Sequence, residues 1–95
     1  MSLNGEITEV EVRDLPLGAL FGMGQTFYIL VEQGPPVALK LHETGTDGNL
    51  HQVPVNPADM VFLHTGWQRS EHQRIFSEEW EKARAQRPEL VVELQ

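Results

Sequence analysis

Apolar and polar residues alternate over most of the first two thirds of the chain, and the period changes once. In "ITEVEVRDL" (7–15), Val10 and Val12 alternate with Glu9, Glu11 and Arg13, the two-residue period of a half-buried strand. "PLG" (16–18) breaks it, "ALF" (19–21) resumes briefly, and "GMGQ" (22–25) is a second turn. "TFYILVE" (26–32) has no polar interruption and predicts a central strand, with Phe27, Ile29 and Val31 on one face and Tyr28 and Leu30 on the other. After "QGPP" (33–36), "VALKLHE" (37–43) turns Val37, Leu39 and Leu41 inward. "TGTDGN" (44–49) is the strongest turn signal. "LHQVPV" (50–55) is a short strand that Pro54 pushes toward a sheet edge. "NPAD" (56–59) is a tight turn, fit for one turn of 3₁₀-helix, and "MVFLHT" (60–65) is the last strand of the set.

Past Gly66 the period lengthens. "SEHQRIFSEEWEKARAQ" (70–86) reads as a helix, with Ser70 as N-cap and Gln73 at capping-box spacing. Phe76, Trp80 and Ala83 form its apolar stripe, and Pro88 ends it. "ELVVELQ" (89–95) alternates Leu90, Val92 and Leu94 and reads as a terminal strand, free to pair within its own subunit or in a neighbour's.

The expectation is a single domain over 1–95, mainly β and α+β overall: five short strands in 7–65, a helix at 70–86 and a strand at 89–95. Sheets this small curl to hide their edges, which favours a small antiparallel barrel or roll. Asp14-Leu15-Pro16, Gly18 and Phe21, the aromatic run 27–31, "VALKL" (37–41), Thr44-Gly45 and the apolar strand 60–63 resemble small SH3-like β-barrel proteins of unknown function from phages and bacteria. The resemblance covers about two thirds of the chain, residues 8–65. It implies an SH3-like fold and hardly any function.

Charge narrows the partners. There are 7 basic and 14 acidic residues, a net charge of −7, and residues 1–66 carry only Arg13 and Lys40 as strong bases. Nucleic acid and anionic membrane need a basic face, so neither is expected. A basic protein surface or a cation suits this chain better. There is no cysteine, hence no disulfide framework or thiolate chemistry, as in a cytoplasmic protein. No apolar run approaches the roughly 20 residues of a membrane span, and no signal peptide is recognisable.

No motif specifies a reaction. Ser2, Ser70 and Ser77 sit in no nucleophile elbow. "GMGQ" lacks the third glycine of a dinucleotide fingerprint and any following P-loop lysine. "ADMVFLHTGW" (58–67) is similar to a strand segment of kynurenine formamidase-like cyclases, but that family's metal motif H-x-G-T-H-x-D is missing. His42, His51, His64 and His72 form no local chelating pair. His51 and His64 would meet only if strands 50–55 and 60–65 paired around "NPAD", with Asp59 or Glu43 as the further ligand. No metal or cofactor is therefore expected, and a small metal- or ligand-dependent enzyme using His51 and His64 is the alternative. The favoured reading is a non-enzymatic, acidic protein-binding or assembly module that self-associates. Trp67, Leu90, Val92 and Leu94 are its expected contacts, since tryptophan is enriched at binding hot spots and a terminal strand can join a sheet edge.

Overall fold

The computed structural model describes residues 7–44 and 48–90, without the side chains of 42–44. Six strands form one antiparallel sheet: β1 (Ile7–Glu11), β2 (Leu20–Met23), β3 (Thr26–Gln33), β4 (Pro36–Thr44), β5 (Leu50–Pro54) and β6 (Met60–His64). Their spatial order is β1-β6-β2-β3-β4-β5. Two helices follow, α1 (Gly66–Ile75) and α2 (Ser77–Gln86), then a 3₁₀ turn at Pro88–Leu90. The chain is thus mainly β with appended helices, as the hydrophobic pattern predicts.

Several boundaries differ, each for a local reason. The first strand stops at Glu11 because Val12–Asp14 coil into a 3₁₀ turn, which carries Val12 into the core. The brief resumption at 19–21 is a full strand, because Gly22 continues β2 instead of turning it. Only Gly24, with φ 66°, turns the chain, opening the two-residue hairpin to β3. The helix begins at Gly66, with Thr65 at the N-cap position, so Ser70 and Gln73 lie inside α1, past its N-terminus. It breaks at Phe76, whose backbone (φ −102°, ψ 41°) leaves α geometry, and resumes as α2. Pro88 does end the helical run, since the residue before a proline is kept out of α geometry and Arg87 takes φ −130°, ψ 69°. Residues 88–90 then form the 3₁₀ turn rather than opening a strand; 91–95 lie outside the described residues.

The sheet is buried on both faces at its centre, which is why 26–32 reads as continuously apolar. On one face, Leu20, Ile29, Val31, Leu39, Leu41 and Leu50 pack beneath Trp80 and Ala83 of α2, with Leu90 closing the cluster. On the other, Phe21, Tyr28, Leu30, Ala38, Val55 and Val61 pack against Val12, Leu15 and Ala19. The faces of Ile29 and Leu30 are those the alternation predicts.

The second cluster is possible because the sheet curls. β5 and β6 are separated by three strands, about 19 Å across a flat sheet. Yet the linker between them is tightened by hydrogen bonds from Ala58 N–H to Asn56 Oδ1 (2.9 Å) and from Asp59 N–H to the Asn56 carbonyl (3.0 Å). This linker also accepts from Val12 and Arg13 through the carbonyls of Asp59 and Pro57, which ties it to the 3₁₀ turn after β1. Among the described residues, β1 and β5 form the two sheet edges and no pairing joins them.

The helices are tied down by polar contacts. The Gln86 side chain accepts from Leu50 N–H and donates to the Leu50 carbonyl, both at 2.9 Å, extending the ladder of the edge strand β5. Arg69 donates to the Gly18 carbonyl (2.8 Å) and lies over the Trp80 ring at 5.2 Å. Arg87 bridges Glu32 and Glu89.

Candidate functional site

α2 and the end of α1 cover only part of their sheet face. On β1, and on β6 as far as Phe62, the same face stays open, while His64 is covered. Register sets Ile7 beside His64, Glu9 beside Phe62 and Glu11 beside Met60. Cross-strand neighbours point the same way, so these six side chains share one face. Ile7, Met60 and Phe62 are 53 %, 51 % and 46 % exposed, unusually bare for side chains of this size standing together. Glu9 and Glu11 are interleaved with them, and Arg13 meets Glu11 at 3.4 Å on the exposed rim.

Beside this patch, over β2 and its turn to β3, lies a groove of about 300 Å³, lined by Ile7, Gly22, Gly24, Phe27, Phe62 and His64. Gly22 is its floor because nothing larger sits there: a Cβ would stand 3.4 Å from His64 Nε2 and 3.5 Å from the Phe27 ring. The inner wall is aromatic. Phe27 meets His64 edge-on (centroids 5.2 Å apart) and touches His72 (4.4 Å) and Phe76 (5.9 Å) of the helical segment.

His64 and His72 come together at this wall, their rings 5.0 Å apart. His72 Nδ1–H donates to the Gln68 carbonyl (2.8 Å). His64 is only 6 % exposed, and its Nδ1 is buried with no hydrogen-bond partner. Burial, reinforced by the neighbouring His72, pushes the His64 imidazole below its ordinary pKa. His64 is therefore a neutral, largely apolar wall of the groove at neutral pH.

The histidine arrangement anticipated from the sequence does not form. β5 pairs with β4 and β6 with β1 and β2, so strands 50–55 and 60–65 do not pair around "NPAD". His51 is exposed and shares the parity of Val53 and Val55, on the face opposite His64. Asp59 lies in the linker, and the Glu43 side chain is outside the described residues. Among the described residues, no three His, Cys, Asp or Glu side chains converge to hold a metal ion.

The expected contact residues divide. Trp67, in the first turn of α1, is 49 % exposed. Leu90 is buried in the core beside Trp80, and Val92 and Leu94 lie outside the described residues. Sequence reasoning passed over Ile7, Met60 and Phe62. Parity already placed Met60 and Phe62 with His64. The missing information was that this face of β6 continues past the helices onto the Glu9–Glu11 face of β1.

No helix among the described residues is long and apolar enough to cross a membrane. No family model, curated protein or solved structure matches the chain significantly.

Proposed function

We propose that this protein is a non-enzymatic protein-binding module that engages a basic partner surface through the open face of β1 and β6. The observation that carries this reading is the cluster of Ile7, Met60 and Phe62 around the groove, interleaved with Glu9 and Glu11. Apolar centres with charged surroundings are the anatomy of protein interfaces. The net charge of −7 selects a cationic partner and speeds its encounter. The body behind this surface is an SH3-like roll in our reading, a view supported by the curl that the 56–59 linker demands. A cysteine-free chain suits a cytoplasmic setting.

The assembly expected from the sequence is less well served by this surface. Two copies of β1 meeting antiparallel about Val10 would set Glu9 of each copy opposite Glu11 of the other, and like charges across strands repel. Self-association therefore belongs elsewhere on the chain, such as the 89–95 segment, and shortening the chain after Arg87 with mass measurement in solution tests it.

The test of the module uses Met60→Lys combined with Phe62→Lys. Both side chains are exposed, so the variant should keep its melting point. Immobilised wild-type protein should retain from native lysate a basic partner that the variant loses, and added salt should weaken the retention. Identical retention by both proteins would show the surface to be idle.

A further inference from the structure

We propose that the partner presents a cationic amphipathic helix of about three turns, which lies across β1 and β6 beside α1 and inserts one bulky apolar side chain over Gly22. The inference rests on the protein-binding reading and specifies what binds.

Width comes first. The open strip is two strands across, β1 and β6, with the groove along its inner side. Two strands span about 10 Å, the diameter of one helix with its side chains. On the far side of the groove the helix layer already stands, because His72 and Phe76 pack on Phe27. A partner helix would continue that layer, as helices side by side on a sheet do at interaxial distances of about 8–10 Å.

Length comes next. The five paired positions of β1 and β6 cover about 17 Å. A helix matching them needs about 11 residues at 1.5 Å each. That is too short to be stable alone, so the segment would order on binding or belong to a folded partner.

Chemistry fixes the sequence type. The groove of about 300 Å³ has an apolar rim at Ile7, Phe62 and Phe27 and a glycine floor, the space for one leucine- to phenylalanine-sized side chain. Exposed Phe62 and Met60 ask for a second apolar contact one or two turns further along. Glu9, alternating with that patch along the outer strand, asks for Lys or Arg on the flank away from α1, while Glu11 already shares its charge with Arg13. A second copy of this chain fits badly, since it would bring its own net charge of −7 to an acidic rim.

The probe is a fluorescein-labelled helical peptide of about 14 residues, with Leu, Phe and Leu at i, i+4 and i+7 and lysines on one flank. Its companions are the same composition scrambled, the same peptide with Glu for Lys, and the same composition made extended with two prolines. Anisotropy titration should show binding of the lysine helix alone, weakened by salt. Amide shifts in ¹⁵N-labelled protein should centre on Ile7, Glu9, Gly22 and Phe62. Gly22→Leu should weaken binding at least about tenfold by filling the groove, and Glu9→Lys should do so only at low salt. Unchanged circular dichroism and melting point in both variants keep these losses attributable to the surface. Equal binding of the glutamate helix would overturn the cationic assignment, and preferred binding of the proline peptide would overturn the helical one. If no peptide binds while wild type and the Met60→Lys/Phe62→Lys variant still differ in lysate, the helix inference falls and the module reading stands.

Discussion

Replacing Gln86 by leucine should loosen the edge strand β5 while leaving the apolar core intact. The Gln86 amide holds both backbone groups of Leu50, whose side chain is almost fully buried. Leucine keeps the volume and removes both partners. Each bond is worth about 1 kcal/mol net, and a backbone group left dry costs more. The site is partly buried, so water restores a fraction, and about 2 kcal/mol is the expected loss. For a domain of this size that lowers the melting point by roughly 10 °C. In urea the midpoint should fall with an unchanged slope, because the exposed surface is the same. Hydrogen exchange locates the effect: the Leu50 amide should lose protection before those of β3. Gln86→Glu adds a sign test. A carboxylate still accepts from Leu50 N–H but sets a second oxygen against the Leu50 carbonyl, so its folded pKa is raised. The carboxyl's contribution is then lost as pH rises above the ordinary glutamate value of about 4.3 and regained on acidification, relative to wild type. A Gln86→Leu cost under about 0.5 kcal/mol, or unchanged Leu50 exchange, would refute this account of how the helix is held.

Two further outcomes follow from the core and the groove wall. Trp80→Ala should cost about 3–5 kcal/mol, since Trp80 is 2 % exposed and roofs the cluster over Leu20, Ile29 and Leu39. Denaturant titration checks it, and a loss below about 1 kcal/mol would mean that the helices do not cover this face in solution. His64 should make stability pH-dependent: its folded pKa lies below the ordinary value of 6.5, so the unfolded chain takes the proton first. Stability is then whole above 6.5 and falls as pH drops toward the depressed folded value, and His64→Phe should remove that component from melting curves.

The strands were legible where one period ruled. At Ile29, Leu30, Leu39 and Leu41 both burial and face could be read directly, because a strand buried on two sides leaves an unbroken apolar run. Gly22 misled, because glycine signals a turn, whereas here it continues β2 in register with Phe27 and Phe62, the latter remote in sequence. Ser70 misled too: its capping-box spacing is real, but the positive-φ Gly66 started the helix one turn earlier, over residues with no buried stripe to mark it. The site was half legible. Met60 and Phe62 shared a parity with His64, but Ile7 sits among glutamates, and only the pairing of β1 with β6 makes these residues one surface. Strand pairing over such distances depends on topology, which local periodicity does not carry.

That topology also orders events in time. β6 sits between β1 and β2, so Ile7 must wait for His64, more than half the chain later, before it has a ladder partner. The meander from β2 to β5 can assemble hairpin by hairpin as it leaves the ribosome, whereas β1 and the open face it completes wait for β6. Long-range closure of this kind slows folding, and a nascent chain halted before Met60 would hold a meander whose β2 and β1 both lack their common neighbour.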